Sequence, residues 1–283
     1  MNIKLKIFLS LTILGTIAFI SSAQLAMSVK MNRSNYLQYE TVYTKVTIRN
    51  NSGHAIVFGD DKRLRGKLLF KIIDKERKPI LPLNEKLSYP MEGVIIEAGQ
   101  SKEFVVPISR FYNLKRCDTY RMYAYVEHNM FEDLYRSNDV TFEVDKGTVA
   151  WVKSVGIPEF MSSGKREKVA KRNYKLVTLS EGSQKSNYLV IDDKKRIYSV
   201  IFLSYELGEE RISHEVDGIS RLHLLVPMSP KIFVYLIIDI TGKIDEEAVY
   251  KRTRTVPALV RAPDSGKVYI TGGAKARKDI DYK

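Results

Sequence analysis

The side chains of this sequence best equipped for chemistry are four histidines (His54, His128, His214, His223), one cysteine (Cys117) and four doubled acids, two Asp-Asp and two Glu-Glu. The histidines stand apart, with no His-Glu-x-x-His run, no pair at helical spacing and no second cysteine, so spacing assembles no zinc ligand set. Ser213-His214-Glu215-x-Asp217 holds the residue types of a triad. Neighbours in sequence rarely converge on one substrate atom, however, and no Gly-x-Ser-x-Gly elbow accompanies them. Asp60-Asp61 and Asp192-Asp193 offer oxygens to calcium, but each pair is followed by two basic residues that oppose a divalent cation. Glu209-Glu210 and Glu246-Glu247 are the residue types of a glycosidase acid and base, and their spacing sets no separation between the carboxyls. Gly272-Gly273 lacks the rest of a phosphate-cradling loop. The expectation is a non-catalytic protein with no metal and no cofactor.

Charge supplies a different candidate. The chain carries a formal net charge of +13, and residues 146–175 hold eight basic residues against two acidic ones. Lys165, Arg166, Lys168, Lys171 and Arg172 fall within eight residues there, a candidate contact for an anionic partner such as a phosphate, uronate or sulfate group. Tyr174 is the single aromatic residue beside them, so the stacking platform of a single-strand nucleic-acid binder is missing and nucleic acid is not expected. A protein partner or an anionic glycan or cell-surface polymer fits the composition better.

The first residues read as an address. Lys4 and Lys6 precede the apolar run Ile7 to Ile20, and Ser21-Ser22-Ala23 supplies the small residues of a cleavage site. Residues 1–23 are thus expected to act as an export signal towards the periplasm, cell surface or medium. The alternative is an uncleaved N-terminal anchor, which would place the protein at a membrane. Export leads to an oxidising compartment, yet Cys117 is the sole cysteine. No intrachain disulfide can form, and apolar packing must hold the fold.

Strand signals fill the rest of the chain. From Tyr36 to Gly53 the side chains alternate, with Val42, Thr44, Val46 and Ile48 on one face and Tyr43, Lys45, Thr47 and Arg49 on the other. Lys67 to Ile80 has the pattern of a hairpin turning at Asp74 to Lys78, and further alternating runs include Tyr120 to Val126 and Val140 to Val144. In the second half, Tyr188 to Ile201 forms a hairpin pattern around Asp192 to Lys195, while Leu222 to Val226 and Phe233 to Ile240 flank Pro227 and Pro230. One echo recurs: Phe70-x-Ile72-Ile73-Asp74-x-x-x-Lys78 matches Tyr235-x-Ile237-Ile238-Asp239-x-x-x-Lys243, with Val190-Ile191-Asp192-x-x-x-Arg196 a looser copy. In each, a buried strand ends where an aspartate accepts hydrogen bonds from turn amides.

These signals predict an all-β protein. Its expected divisions are a signal at 1–23, a β-sandwich at 24–146, a basic linker at 147–172, a second β-rich sandwich or barrel at 173–274, and a polar, frayed tail at 275–283. Asn50-Asn51-Ser52-Gly53, IIDKERKPI, Ala98-Gly99-Gln100-Ser101, Ile108 to Leu114 and Thr119-Tyr120-Arg121 lie in an order that resembles the immunoglobulin-like domains of exported bacterial proteins. It is similar also to macroglobulin-type and proteinase-inhibitor-type sandwiches. That resemblance spans residues 26 to 146, and the whole chain resembles two-domain exported bacterial proteins. It implies a fold and no activity, because its marks are turns and core positions. The function expected is an exported binding or structural module. The alternatives are an inhibitor-like or defence protein by fold analogy, and an enzyme whose site is assembled between the two domains.

Overall fold

Alternating side chains need a partner sheet on their apolar side, and the computed structural model shows what each strand meets. It describes residues 24–59, 61–84, 89–132, 134–157, 171–193, 195–208 and 210–282. Residues 1–23, expected from their sequence to be an export signal, and the cations Lys165, Arg166 and Lys168 lie outside the described residues. The protein is all-β, and among the described residues no helix is long and apolar enough to cross a membrane.

The first half runs through β1 (Leu25–Met31), β2 (Asn35–Leu37), β3 (Tyr43–Asn50), β4 (Ile56–Phe58), β5 (Gly66–Ile73), β6 (Val94–Ile96), β7 (Ser101–Pro107), β8 (Asp118–His128), β9 (Tyr135–Arg136) and β10 (Val140–Asp145). Strands β1-β3-β7 form one sheet and β2-β10-β8-β5 another, with β9 on β8 and a small β4-β6 ladder beside them. Val42, Thr44, Val46 and Ile48 are all buried, as their alternation requires, and pack with Phe104, Val106, Leu68, Ile72, Tyr120, Met122 and Phe142 in one core. Two expected details change. The Tyr36 to Gly53 run is broken by a turn at Gln38 to Glu40, where Tyr39 adopts φ +70, so β2 and β3 enter different sheets. Beyond the turn at Asp74, the chain returns to β5 through isolated contacts, the Ile73–Pro79 bridge with the Ile80 amide on the Ile72 carbonyl and a Leu68–Tyr89 bridge, and the full partner of β5 is β8. Proline has no N–H for a longer ladder.

The second half comprises β11 (Thr148–Gly156), β12 (Lys171–Glu181), β13 (Gln184–Asp192), β14 (Ile197–Tyr205), β15 (Ser213–Val216), β16 (Leu222–Pro227), β17 (Ile232–Ile238), β18 (Ile244–Lys251), β19 (Ala258–Arg261), β20 (Val268–Thr271) and β21 (Ala274–Lys275). Sheet β11-β12-β13-β14 packs on sheet β15-β16-β17-β18-β21 through Tyr174, Leu176, Leu189, Ile191, Leu222, Leu224, Leu236 and Ile238. The β19-β20 hairpin covers the outer face of the second sheet over Leu225, Phe233, Tyr235 and Ile237. Strand β16 is therefore buried on both faces, which explains why its sequence is apolar apart from His223.

The described parts of the stretch expected as a linker are strand. β11 pairs with β12 from Thr148↔Thr178 to Gly156↔Lys171. It is an edge strand whose one buried side chain is Val155, so its sequence is as polar as a linker's. The tail is also ordered as far as Tyr282: β21 pairs with β18, and Asp281 accepts from Lys251 Nζ at 2.7 Å and from the Arg277 amide at 2.8 Å.

The recurring aspartate is a turn device. At Asp74, Asp217 and Asp239, Oδ1 accepts from the amides two and four residues on, at 2.8–3.0 Å. The fourth residue of each turn has positive φ: Arg77 at 64°, Ser220 at 70° and Gly242 at 97°. This is a three-residue hairpin loop closed by a left-handed residue. A methyl group at Gly242 would overlap the Ser199 side chain on the facing sheet. Gly242→Ala is therefore expected to lower unfolding stability by about 2–4 kcal/mol, from backbone strain plus overpacking. Arg77→Gly, at the equivalent place in an open turn, should change stability by less than about 1 kcal/mol. Equal losses in urea titrations of the two variants would refute the shared-turn account.

Candidate functional site

The two sandwiches meet where short β2 lies against β12 of the second half. Leu37 is 2% exposed and packs on Val177, Leu179, Tyr188 and Val190, the face of the β11-β14 sheet turned away from its own partner sheet. Polar contacts flank this plug. The Ser34 amide donates to Glu181 Oε1 at 2.9 Å, and Asn35 Nδ2 donates to the Ser180 carbonyl at 3.1 Å.

Arg33, in the connection between β1 and β2, is the hub of the joint. One terminal nitrogen donates to Glu40 Oε1 and the other to the Tyr188 hydroxyl, while Glu40 Oε2 accepts the Leu37 amide at 3.0 Å. Its guanidinium carbon lies 5.1 Å from the Tyr36 ring centroid, 5.8 Å from that of Tyr188 and 5.6 Å from that of Phe202. One cation thus caps rings from both halves. Burial works against its charge, but the hydrogen bond and charge of Glu40 outweigh that effect, and the Arg33 pKa is raised. Burial is also the main reason that the Tyr188 phenol titrates well above its ordinary range and that Tyr36 is pushed up to about 12.

Beside this hub opens a groove of about 600 Å³, lined by Asn32, Arg33, Glu40, Thr41 and Tyr43 from the first half and by Val200, Phe202 and Tyr205 from the second. Its size lies in the range of small-ligand sites. Tyr43, Phe202 and Tyr205 are 39%, 40% and 40% exposed. A β-bulge sets the last two. Asn187 pairs with Ser204 and Tyr188 with Phe202, so Leu203 is an extra residue on β14. In an unbroken strand, residues three apart face opposite ways. The bulge brings Phe202 and Tyr205 to the same groove, where their rings meet edge to face at 5.2 Å.

A second polar cluster lies inside the second half. Asp217 of the β15-β16 turn, His223 of β16 and Tyr235 of β17 are joined by His223 Nε2 to Asp217 Oδ2 at 3.2 Å and His223 Nδ1 to the Tyr235 hydroxyl at 2.6 Å. Arg221 Nε donates to the same Asp217 oxygen at 2.8 Å. Burial lowers the His223 pKa despite the carboxylate beside it. A neutral imidazole has one donor and one acceptor. Here Nε2–H donates to Asp217 and Nδ1 accepts from the phenol. Burial raises the Asp217 pKa, and the hydrogen bonds from Arg221 and His223 more than reverse this, for a net lowering. All three linked residues are buried, Tyr235 in the cluster covered by the β19-β20 hairpin, so the relay ties turn to sheet and offers no open face to a substrate.

Among the described residues, the candidates from the sequence do not gather. His214 stacks on Trp151 with ring centroids 4.0 Å apart, away from the Asp217 it accompanies in sequence. His128 is buried against Phe58 and Phe131, with Nε2 3.0 Å from the Val57 carbonyl. Cys117 is half-buried and burial pushes its thiol up. Glu210 is bonded to Arg252, and Glu246 and Glu247 are exposed on β18. Among the described residues no group of three potential metal ligands occurs. Of the basic stretch, Lys171 is exposed at the start of β12, whereas Arg172 turns inward, 7% exposed, with its guanidinium carbon 3.2 Å from the Tyr198 ring centroid. Strand alternation separates the two side chains, so Arg172 departs from the expected surface contact. Described cations converge elsewhere: Arg121 and Arg136 each donate to Asp139 Oδ2 at 3.1 Å beside Lys71 and Tyr123, around a shallow cavity of about 260 Å³.

No family model matches the chain, and no curated protein matches it. Among solved structures it is similar to the crystal structure of Spo0M, a sporulation control protein from Bacillus subtilis, at 10% identity and a TM-score of 0.29, over 60% of this chain and 80% of that one. A likeness at that level contributes nothing to the assignment of a function.

Proposed function

We propose that this protein is an exported, non-catalytic binding module whose working surface is the groove between its two halves, the first of them a sandwich of the immunoglobulin-like kind. One observation carries the reading: three aromatic side chains stand about 40% exposed around an open groove whose floor is fixed by the buried Arg33–Glu40–Tyr188 cluster. Large exposed aromatics on a rigid base are costly to leave in water and are characteristic of recognition surfaces. The closed Asp217–His223–Tyr235 relay and the scattered histidines support a binder over an enzyme. Export rests on the sequence of residues 1–23.

Placing a photo-crosslinking amino acid at Tyr43 or Tyr205 in the exported protein tests this. Irradiation in intact cells is expected to trap a partner molecule from both groove positions and from neither of two exposed control positions, Tyr269 and Ile280, which lie outside the groove. Equal labelling at groove and control positions, or none at the groove, would overturn the reading.

A further inference from the structure

We infer that the groove takes an uncharged saccharide chain; this rests on the binding-module reading above and deepens it. Among the described residues the lining holds one cation and one anion, Arg33 and Glu40, and they are bonded to each other. The described lining therefore carries no free charge, in a chain whose net charge is +13. A polyanion is drawn to the exposed cations elsewhere, such as Lys71, Arg121 and Arg136, and meets no unpaired cation among the described lining residues.

What the groove offers is ring faces and small neutral polar groups. Aromatic rings are negative on their faces and positive at their edges. The C–H face of a sugar ring is apolar and weakly positive, so it lies well on such a face, while its hydroxyls project sideways. Phe202 and Tyr205 stand on one wall and Tyr43 on the other, so a chain laid along the groove meets rings from both halves. Asn32 and Thr41 provide an amide and a hydroxyl on the wall that carries Tyr43. The Asn32 oxygen already accepts from the Tyr36 hydroxyl, which fixes the amide and leaves its N–H groups as donors, while the Thr41 hydroxyl donates and accepts; both suit hydroxyl ligands. The wall geometry is set before binding by the Leu203 bulge and the Arg33 hub, so little ordering is left for the ligand to impose. An extended peptide is the competing occupant. It is disfavoured because the described lining lacks a free charge for side chains or termini, and because three rings repeat one recognition element.

The test titrates the full exported chain by ligand-observed NMR and calorimetry. The neutral probes are cello-, chito-, malto- and manno-oligosaccharides of four to six units; the anionic probes are polygalacturonate and heparin fragments. At least one neutral series is expected to bind with little change between 50 mM and 500 mM salt, and to lose at least tenfold in affinity in Phe202→Ala and in Tyr205→Ala. Tyr123→Ala, on the outer face of the first half, should leave it unchanged. Unaltered strand signals in far-UV circular dichroism establish that the variants fold. No binding by any neutral series, binding that survives both groove variants, or binding confined to the anionic probes would overturn the inference. Crosslinking of a protein at Tyr43 and Tyr205 would sink the saccharide while preserving the binding-module reading. Failure of both experiments would sink the two together.

Discussion

Arg33→Ala is expected to destabilise the protein by about 3 kcal/mol, because removing one member of a buried ion pair leaves the other uncompensated, and to loosen the joint between the sandwiches through the lost Tyr188 contact. The side chains of Arg33 and Glu40 are only 13% and 11% exposed, so solvent screens the pair little. Glu40 keeps the Leu37 amide as a donor and loses its counter-charge. Tyr188 loses the donor to its hydroxyl, and three rings lose their cation. The whole protein is expected to unfold in guanidinium as one transition, and Arg33→Ala to split it so that the halves melt separately. Arg33→Lys keeps the charge without the planar fork that reaches Glu40 and Tyr188 together, and should recover only part of the loss. A double-mutant cycle with Glu40→Gln would show the coupling directly. Additive losses in that cycle would contradict the hub.

The second large effect is at Asp217. Asp217→Ala removes the acceptor of two turn amides, orphans the buried His223 Nε2–H and frees Arg221, for an expected loss of about 2–4 kcal/mol. The Arg221 side chain is 35% exposed and can turn to water, which keeps the figure at the lower end of buried-pair losses. Asp217→Asn retains a turn acceptor and should lose less. The same cluster sets a pH dependence. His223 has a lowered pKa when folded, so the unfolded chain binds its proton first, and stability falls as pH drops below the ordinary histidine value of about 6.5. His214, lowered by burial with Lys153 nearby, adds to the loss in the same window. Asp217 is lowered too, so its contribution is present above the ordinary carboxylate value of about 3.9 and disappears on further acidification. His223→Gln should flatten the stability profile between pH 6.5 and 5. An unchanged profile would show that the imidazole does not titrate on unfolding.

Local pattern accounts for the parts of the fold that were legible in the sequence. The alternation at Val42 to Ile48, the hairpin at Asp192 to Lys195 and the paired apolar strands around Pro227 are near-neighbour signals and appear in place. The aspartate echo was legible at Asp74 and Asp239. In the third copy the turn amides go to Asp193, which accepts from Lys195 and Arg196 at 2.7 and 2.9 Å. Asp217-x-x-x-Arg221 follows the same rule but lacks the preceding paired isoleucines, so its membership was visible only as an aspartate followed four residues on by a cation. The groove was not legible. Arg33 and Glu40 sit in connections, Tyr188 is more than 140 residues away, and the Leu203 bulge that turns Tyr205 into the groove reverses the period of the strand. Charge such as that of the basic stretch is conspicuous in a sequence, whereas the aromatic lining is spread over two halves and hidden among core-like residues.

Leu37 has a consequence for how the protein comes into being. Synthesis and export both deliver the N-terminal half first, and its core draws on residues 25–144 alone, so that sandwich can close before the second half arrives. Its Leu37 and Arg33 then wait, one apolar and one charged, for a sheet whose strands end only at Tyr205. During that interval the arriving chain presents an unfinished, sticky face, and whatever shields it has to release it when β12 and β13 arrive.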